Sequence, residues 1–183
     1  MDAQAILRNG ALGIAGGLAA SLAMNLFQSG WSAASKRLNP ADGGDAGGGD
    51  EPSTVKAADR VAQATTGKPV PGDQREAAGQ ATHYGFGALL GGLYGATATV
   101  YPAVRTGFGA PFGAAVWAVA DEVAVPAAGL SEPPTRTPVS TQVYALASHL
   151  LFGAVLEGSQ LLLQRGLAAL GSNSQRRPRE ARD

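Results

Sequence analysis

His83-Tyr-Gly-Phe-Gly-Ala-Leu-Leu-Gly-Gly-Leu-Tyr-Gly95 is the stretch on which the fold turns. Within it His83, Gly87, Gly91 and Gly95 recur at a step of four. Residues four apart lie one above another on a helix. Small residues at that spacing let membrane helices approach closely. In a water-soluble helix each such glycine costs about 1 kcal/mol against alanine, a loss that close backbone packing offsets in lipid. The stretch therefore reads as the packing face of a membrane helix over residues 84–103.

Three further apolar stretches, 11–27, 107–128 and 143–163, repeat the pattern. The first steps through Gly13, Gly17, Ser21 and Asn25. The third steps through Gly109, Gly113, Trp117 and Asp121, and the fourth through His149, Gly153 and Glu157. Rows of this kind drift around a straight helix, so they act as tilted ridges that suit crossed helices. The expected fold is all-α, an integral membrane bundle of four helices. A short amphipathic helix over 54–66 follows Ser53 as N-cap and stops at Gly67. Residues 1–170 form one four-span domain, with 32–80 as an outer loop holding a flexible acidic linker at 39–52. The turn at Arg105 is short enough to force an antiparallel pair. A basic, disordered tail is expected over 171–183.

Composition narrows the function. The chain has 183 residues, no net formal charge and no cysteine. Charge balance gives no case for nucleic acid, and thiolate metal sites and cysteine nucleophiles are excluded. Glycine is about twice its ordinary share, at 26 residues. Lys and Arg near the helix ends favour cytoplasmic termini, with Arg8, Arg105, Arg165 and the tail arginines on that side. Trp31 sits where an interfacial anchor belongs.

Polar groups inside the apolar layer are costly and call for a partner or a cavity. Asn25, His83, Asp121, Glu122 and His149 are expected in one layer toward the outer surface, with Glu157 and Gln160 deeper on the fourth helix. One reading pairs a carboxylate of Asp121 or Glu122 with His149 to lock the bundle. A second makes the group a proton or ion path, and a third a metal site, since imidazole with carboxylate suits zinc, iron or manganese. No ligand-spacing motif such as His-x-x-x-His occurs, so the metal is unassigned. No Walker loop, Gly-x-Ser-x-Gly or His-Glu-x-x-His appears either.

The order of features from His83-Tyr-Gly-Phe-Gly and Gly-Gly-Leu-Tyr-Gly95 through Gly113, Trp117, Asp121-Glu122, Pro126, Gly129-Leu130 and Pro133-Pro134 to His149-Leu-Leu-Phe-Gly153 and Glu157 resembles the YagU-like family of small bacterial inner-membrane proteins, a domain of unknown function. The resemblance implies a bacterial plasma-membrane location and a multi-span helical fold. It implies no chemistry, so no catalytic residue or cofactor is assigned, and a non-enzymatic structural or accessory role is favoured. The lipid bilayer is the expected partner. A surplus of small residues on the first helix (Gly13, Gly16, Gly17, Ala20, Ala23) motivates a homo-oligomer or larger membrane complex.

Overall fold

The computed structural model describes residues 2–38 and 51–176. The acidic linker, apart from Glu51 and Pro52, and the tail beyond Arg176 lie outside them. Among the described residues every regular element is helical. Three helices, Ala3–Arg37, Pro102–Ala127 and Val139–Ser172, are long and apolar enough to cross a membrane.

Helix α1 runs Ala3–Leu38. Asp2 caps it by accepting a hydrogen bond from the Gln4 amide at 3.0 Å. Its 36 residues give about 54 Å against a hydrocarbon layer of about 30 Å, so it extends well past the apolar run 11–27. Helix α2 spans Ser53–Thr66, and Pro52 rather than Ser53 occupies the N-cap position. Gly67 closes it in the left-handed conformation, with a φ of 74° that suits glycine. Val55 is buried and lies against Gly79 of the next helix, so α2 rests on protein.

Helix α3 covers Arg75–Val100. It begins after Pro69 and Pro71 and stops at Tyr101, the residue before Pro102, where the proline ring disfavours helical backbone. Glycine, tyrosine and threonine dilute its apolar character, and it does not join the three spans above. A 3₁₀ segment, Pro102–Gly109, contains a left-handed run at Gly107, Phe108 and Gly109. Helix α4 (Ala110–Val116), a π-helical segment (Trp117–Ala124) and α5 (Val125–Ala127) then continue as one rod. After the loop with Pro133, Pro134 and Pro138, α6 runs Val139–Arg176. Residues 171–176, expected in a disordered tail, are therefore helical.

Helix α1 occupies the middle of the assembly, packed against both α3 and α6, while α4 packs on α6. The glycine ridges make these contacts. A Cβ on Gly13 would strike the Gly91 carbonyl, and one on Gly17 the Gly87 carbonyl. Gly95 meets the Asn9 carbonyl in the same way. Pairs 13/91, 17/87 and 9/95 run in opposite order, so α1 and α3 are antiparallel. Gly109 faces the Gly153 carbonyl and Gly113 the His149 carbonyl, which makes α4 and α6 antiparallel too. Gly16 meets Leu156 of α6 and Ala20 is fully buried, so most of the small residues of α1 are used within the protomer.

Helices α3 and α4 run antiparallel, as their short connection requires, but they touch only near it. They meet at Tyr94 and Phe112, whose rings lie 4.7 Å apart. Beyond that point they diverge around an apolar cleft of about 290 Å³ between Phe86 and Leu90 on one side and Val116, Val119 and Ala124 on the other. Each has spent its glycine ridge on another neighbour. The core itself is small: Ala20, Met24, Tyr94, Phe152 and Leu156.

Candidate functional site

Two polar centres are built into this frame, one on either side of the buried Phe152 and Leu156. The first is centred on Glu157, only 3% exposed on α6. Tyr94 Oη of α3 donates to Glu157 Oε2 at 2.9 Å. Arg105 Nε donates to Glu157 Oε1, also at 2.9 Å. The carboxylate is thus held by a phenol and a guanidinium from two other elements. Arg105 Nη2 is buried with no hydrogen-bond partner among the described residues. The 3₁₀ segment explains the geometry. By turning through three left-handed residues, Pro102–Gly109 carries Arg105 inward instead of leaving it at the surface, where a charge between two spans is expected.

Gln160 lies one turn further along α6 and is fully buried. Its Nε2 donates to the Asn9 carbonyl of α1 at 3.2 Å. The amide occupies room left by two glycines, since a Cβ on Gly13 would approach Nε2 to 2.8 Å and one on Gly95 would come closer. Asn9 Nδ2 in turn donates to Thr99 Oγ1 at 2.9 Å. Gln160 Oε1 finds no partner among the described residues.

The second centre gathers only part of the group expected in the outer layer. His149 Nδ1 donates to the Ala145 carbonyl at 2.9 Å, and Asp121 Oδ2 stands 3.6 Å from the same nitrogen. That is an ion-pair distance, beyond a hydrogen bond. His83 lies within electrostatic reach of both, and its Nε2 is 3.4 Å from the Ser21 carbonyl. Asn25 is engaged elsewhere, donating to Gln80 Oε1 at 2.9 Å and Tyr84 Oη at 3.4 Å. Glu122 is half-buried in the π segment, and no hydrogen bond or ion pair joins it to either histidine among the described residues. No three His, Asp or Glu side chains among those residues come together as a metal site would need.

The row Gly109, Gly113, Trp117, Asp121 presumes one continuous α-helix. In the structure Gly109 is a left-handed cap with φ 78°, and the backbone from Trp117 onward is π-helical. Its i→i+5 bonds widen each turn and rotate the side chains after Trp117 about the helix axis. Trp117 Nε1 is buried without a partner among the described residues. Tyr94, Asn9 and Gln80 act as polar partners that residue spacing does not reveal. Arg105 is visible in the sequence as a lone charge between two apolar runs, and that isolation is the one signal pointing to a partner.

Away from these two centres, Arg75 bridges Glu51 at 2.8 Å and Asp59 at 2.5 Å. Hydrogen bonds from those two carboxylates raise its guanidinium above the ordinary arginine value. Asp59 also accepts from the Val70 amide at 2.9 Å. Arg60 of α2 reaches the carbonyls of Ala128 and Gly129 just past the end of α5.

These features define an all-helical protein with apolar helices fit to cross a membrane and a buried ion pair where they meet. Residues 61–158 match the model of a family described as a protein of unknown function, DUF1440. The match spans more than half of the chain, which belongs to this family. It agrees with the YagU-like resemblance. No curated protein and no solved structure matches.

Proposed function

We propose that this chain is a small bacterial inner-membrane protein with a structural or accessory role and no catalytic chemistry of its own. It crosses the bilayer four times, through α1, α3, the rod from Pro102 to Ala127, and α6, with both termini in the cytoplasm. The fourth span, α3, is the least apolar, but its glycine ridge lies against α1, which shields its backbone from lipid. The observation that carries the role is Glu157. A transport carboxylate is expected to line a polar cavity; this one is buried, paired with Arg105 and bonded to Tyr94. Such an arrangement fixes three elements in one register.

A second reading, a proton or ion path, is favoured by the second centre. Asp121 and His149 stand at ion-pair distance, and Asp121 sits in a π-helical segment, a feature frequent at functional sites. Proton flux into proteoliposomes under an imposed gradient separates the two. The structural reading expects flux equal to that of protein-free vesicles. Flux that disappears on Asp121→Asn would transfer the assignment to the second reading. Labelling of cysteines at Ser131 and Ser172 in intact cells tests the topology, with only Ser131→Cys expected to react from outside.

A further inference from the structure

The far ends of α1 and α6 form a notch of about 200 Å³ lined by Arg8, Leu12, Gln164, Leu167 and Ala168. Its chemistry is divided. Arg8 is exposed, and among the described residues no carboxylate pairs with it. Gln164 gives one N–H to Asn9 Oδ1 at 3.5 Å, leaving its other N–H available. Leu12, Leu167 and Ala168 make the remaining wall apolar. On the same stretches of α1 and α6, Leu7, Leu162 and Leu170 stand 69–74% exposed, as lipid-facing residues do.

We propose that this notch binds an anionic phospholipid. The guanidinium and the carboxamide take the phosphate oxygens, which a planar fork of donors suits, and an acyl chain lies along Leu12 and Leu167. A soluble anion would not need the apolar wall, and a neutral lipid would not need Arg8. Charge complementarity at the cytoplasmic ends of two spans is the setting in which basic pockets between helices hold acidic headgroups. Arg165, exposed and next in sequence to Gln164, adds positive potential at the same level.

The inference rests on the membrane placement proposed above, and the test keeps the two apart. Detergent-purified protein is titrated with phosphatidylglycerol and with phosphatidylcholine of identical chains, read by native mass spectrometry. Wild type is expected to retain phosphatidylglycerol about fivefold more tightly, the preference that one arginine near a headgroup supplies. Arg8→Gln should abolish the preference, while Arg37→Gln, at the opposite end of α1, should keep it. Equal retention of the two lipids, or an Arg8→Gln variant that still discriminates, would overturn the site. Thermal stabilisation by inorganic phosphate equal to that by phosphatidylglycerol would overturn the lipid assignment. A protein that stays monodisperse without detergent would instead remove the membrane placement itself.

Discussion

Arg105 and Glu157 stand 52 residues apart in sequence, and their side chains meet at 2.9 Å inside the assembly. The carboxylate is almost wholly withdrawn from solvent, whereas the arginine side chain keeps 26% of its exposure. The partners therefore respond unequally to removal. Arg105→Ala strands a buried charge and should cost about 3–5 kcal/mol. The double variant Arg105→Met with Glu157→Leu removes both charges together. It should lie closer to wild type, losing mainly the acceptor of the buried Tyr94 hydroxyl at about 1–3 kcal/mol. Thermal unfolding in detergent of the two variants checks this, and a double variant less stable than Arg105→Ala would contradict it.

Glycine substitutions should divide by contact. A Cβ on Gly91 meets the Gly13 carbonyl, a backbone atom that cannot swing aside. Gly91→Ala should destabilise by about 1–3 kcal/mol or more, the cost of overpacking. A Cβ on Gly30 meets nothing within 4 Å. Gly30→Ala should be neutral or stabilise by up to about 1 kcal/mol through helix propensity. Unfolding midpoints of the two variants should move in opposite directions or differ clearly.

Gly109 carries two constraints at once: a left-handed backbone and contact with the Gly153 carbonyl. Gly109→Ala should therefore cost more than the backbone strain of about 1–3 kcal/mol alone. Because the same turn aims Arg105, the variant should also loosen the Glu157 pair. Hydrogen exchange at the Tyr94 and Arg105 amides, faster than in wild type, is the expected sign.

The anchoring of helix α2 depends on Arg75. Arg75→Gln breaks its bridges to Glu51 and Asp59, and α2 should become faster to exchange or cleave while α1 and α6 are unchanged. The raised guanidinium value fixes the sign of the pH effect. A cation whose folded value is raised contributes fully below its unfolded value and loses that contribution only as pH climbs through the folded one. Protection of α2 should therefore hold across mildly alkaline buffers. Release of α2 at mildly alkaline pH would show that other groups control it.

The packing faces are legible in the sequence because glycine spacing is local, but which face meets which is not: the main pairs are α1 with α3 and with α6, and α4 with α6. Gly13, Gly17, Gly87 and Gly91 repeat at a step of four, and each step is a packing contact in the structure. The polar centres are less so. Nothing in the run Trp117 to Ala124 marks it as π-helical, because the widened turn answers to its neighbours rather than to its own residue types. Arg105 turns inward because the backbone at Gly107, Phe108 and Gly109 reverses its hand, and Phe108 at φ 56° is a residue that sequence would not place there. The cleft between α3 and α4 depends on which ridges are already spent, a property of the whole assembly.

The bond from Gln160 to the Asn9 carbonyl joins residues 151 positions apart. Helix α1 precedes α3 in the chain, yet the side chain that fills the gap beside Gly13 and Gly95 belongs to α6, which follows both. Until α6 arrives, a long-range contact of high entropic cost remains unmade. Assembly is thus ordered from a centre that must wait: α6 completes a site that α1 and α3 leave open.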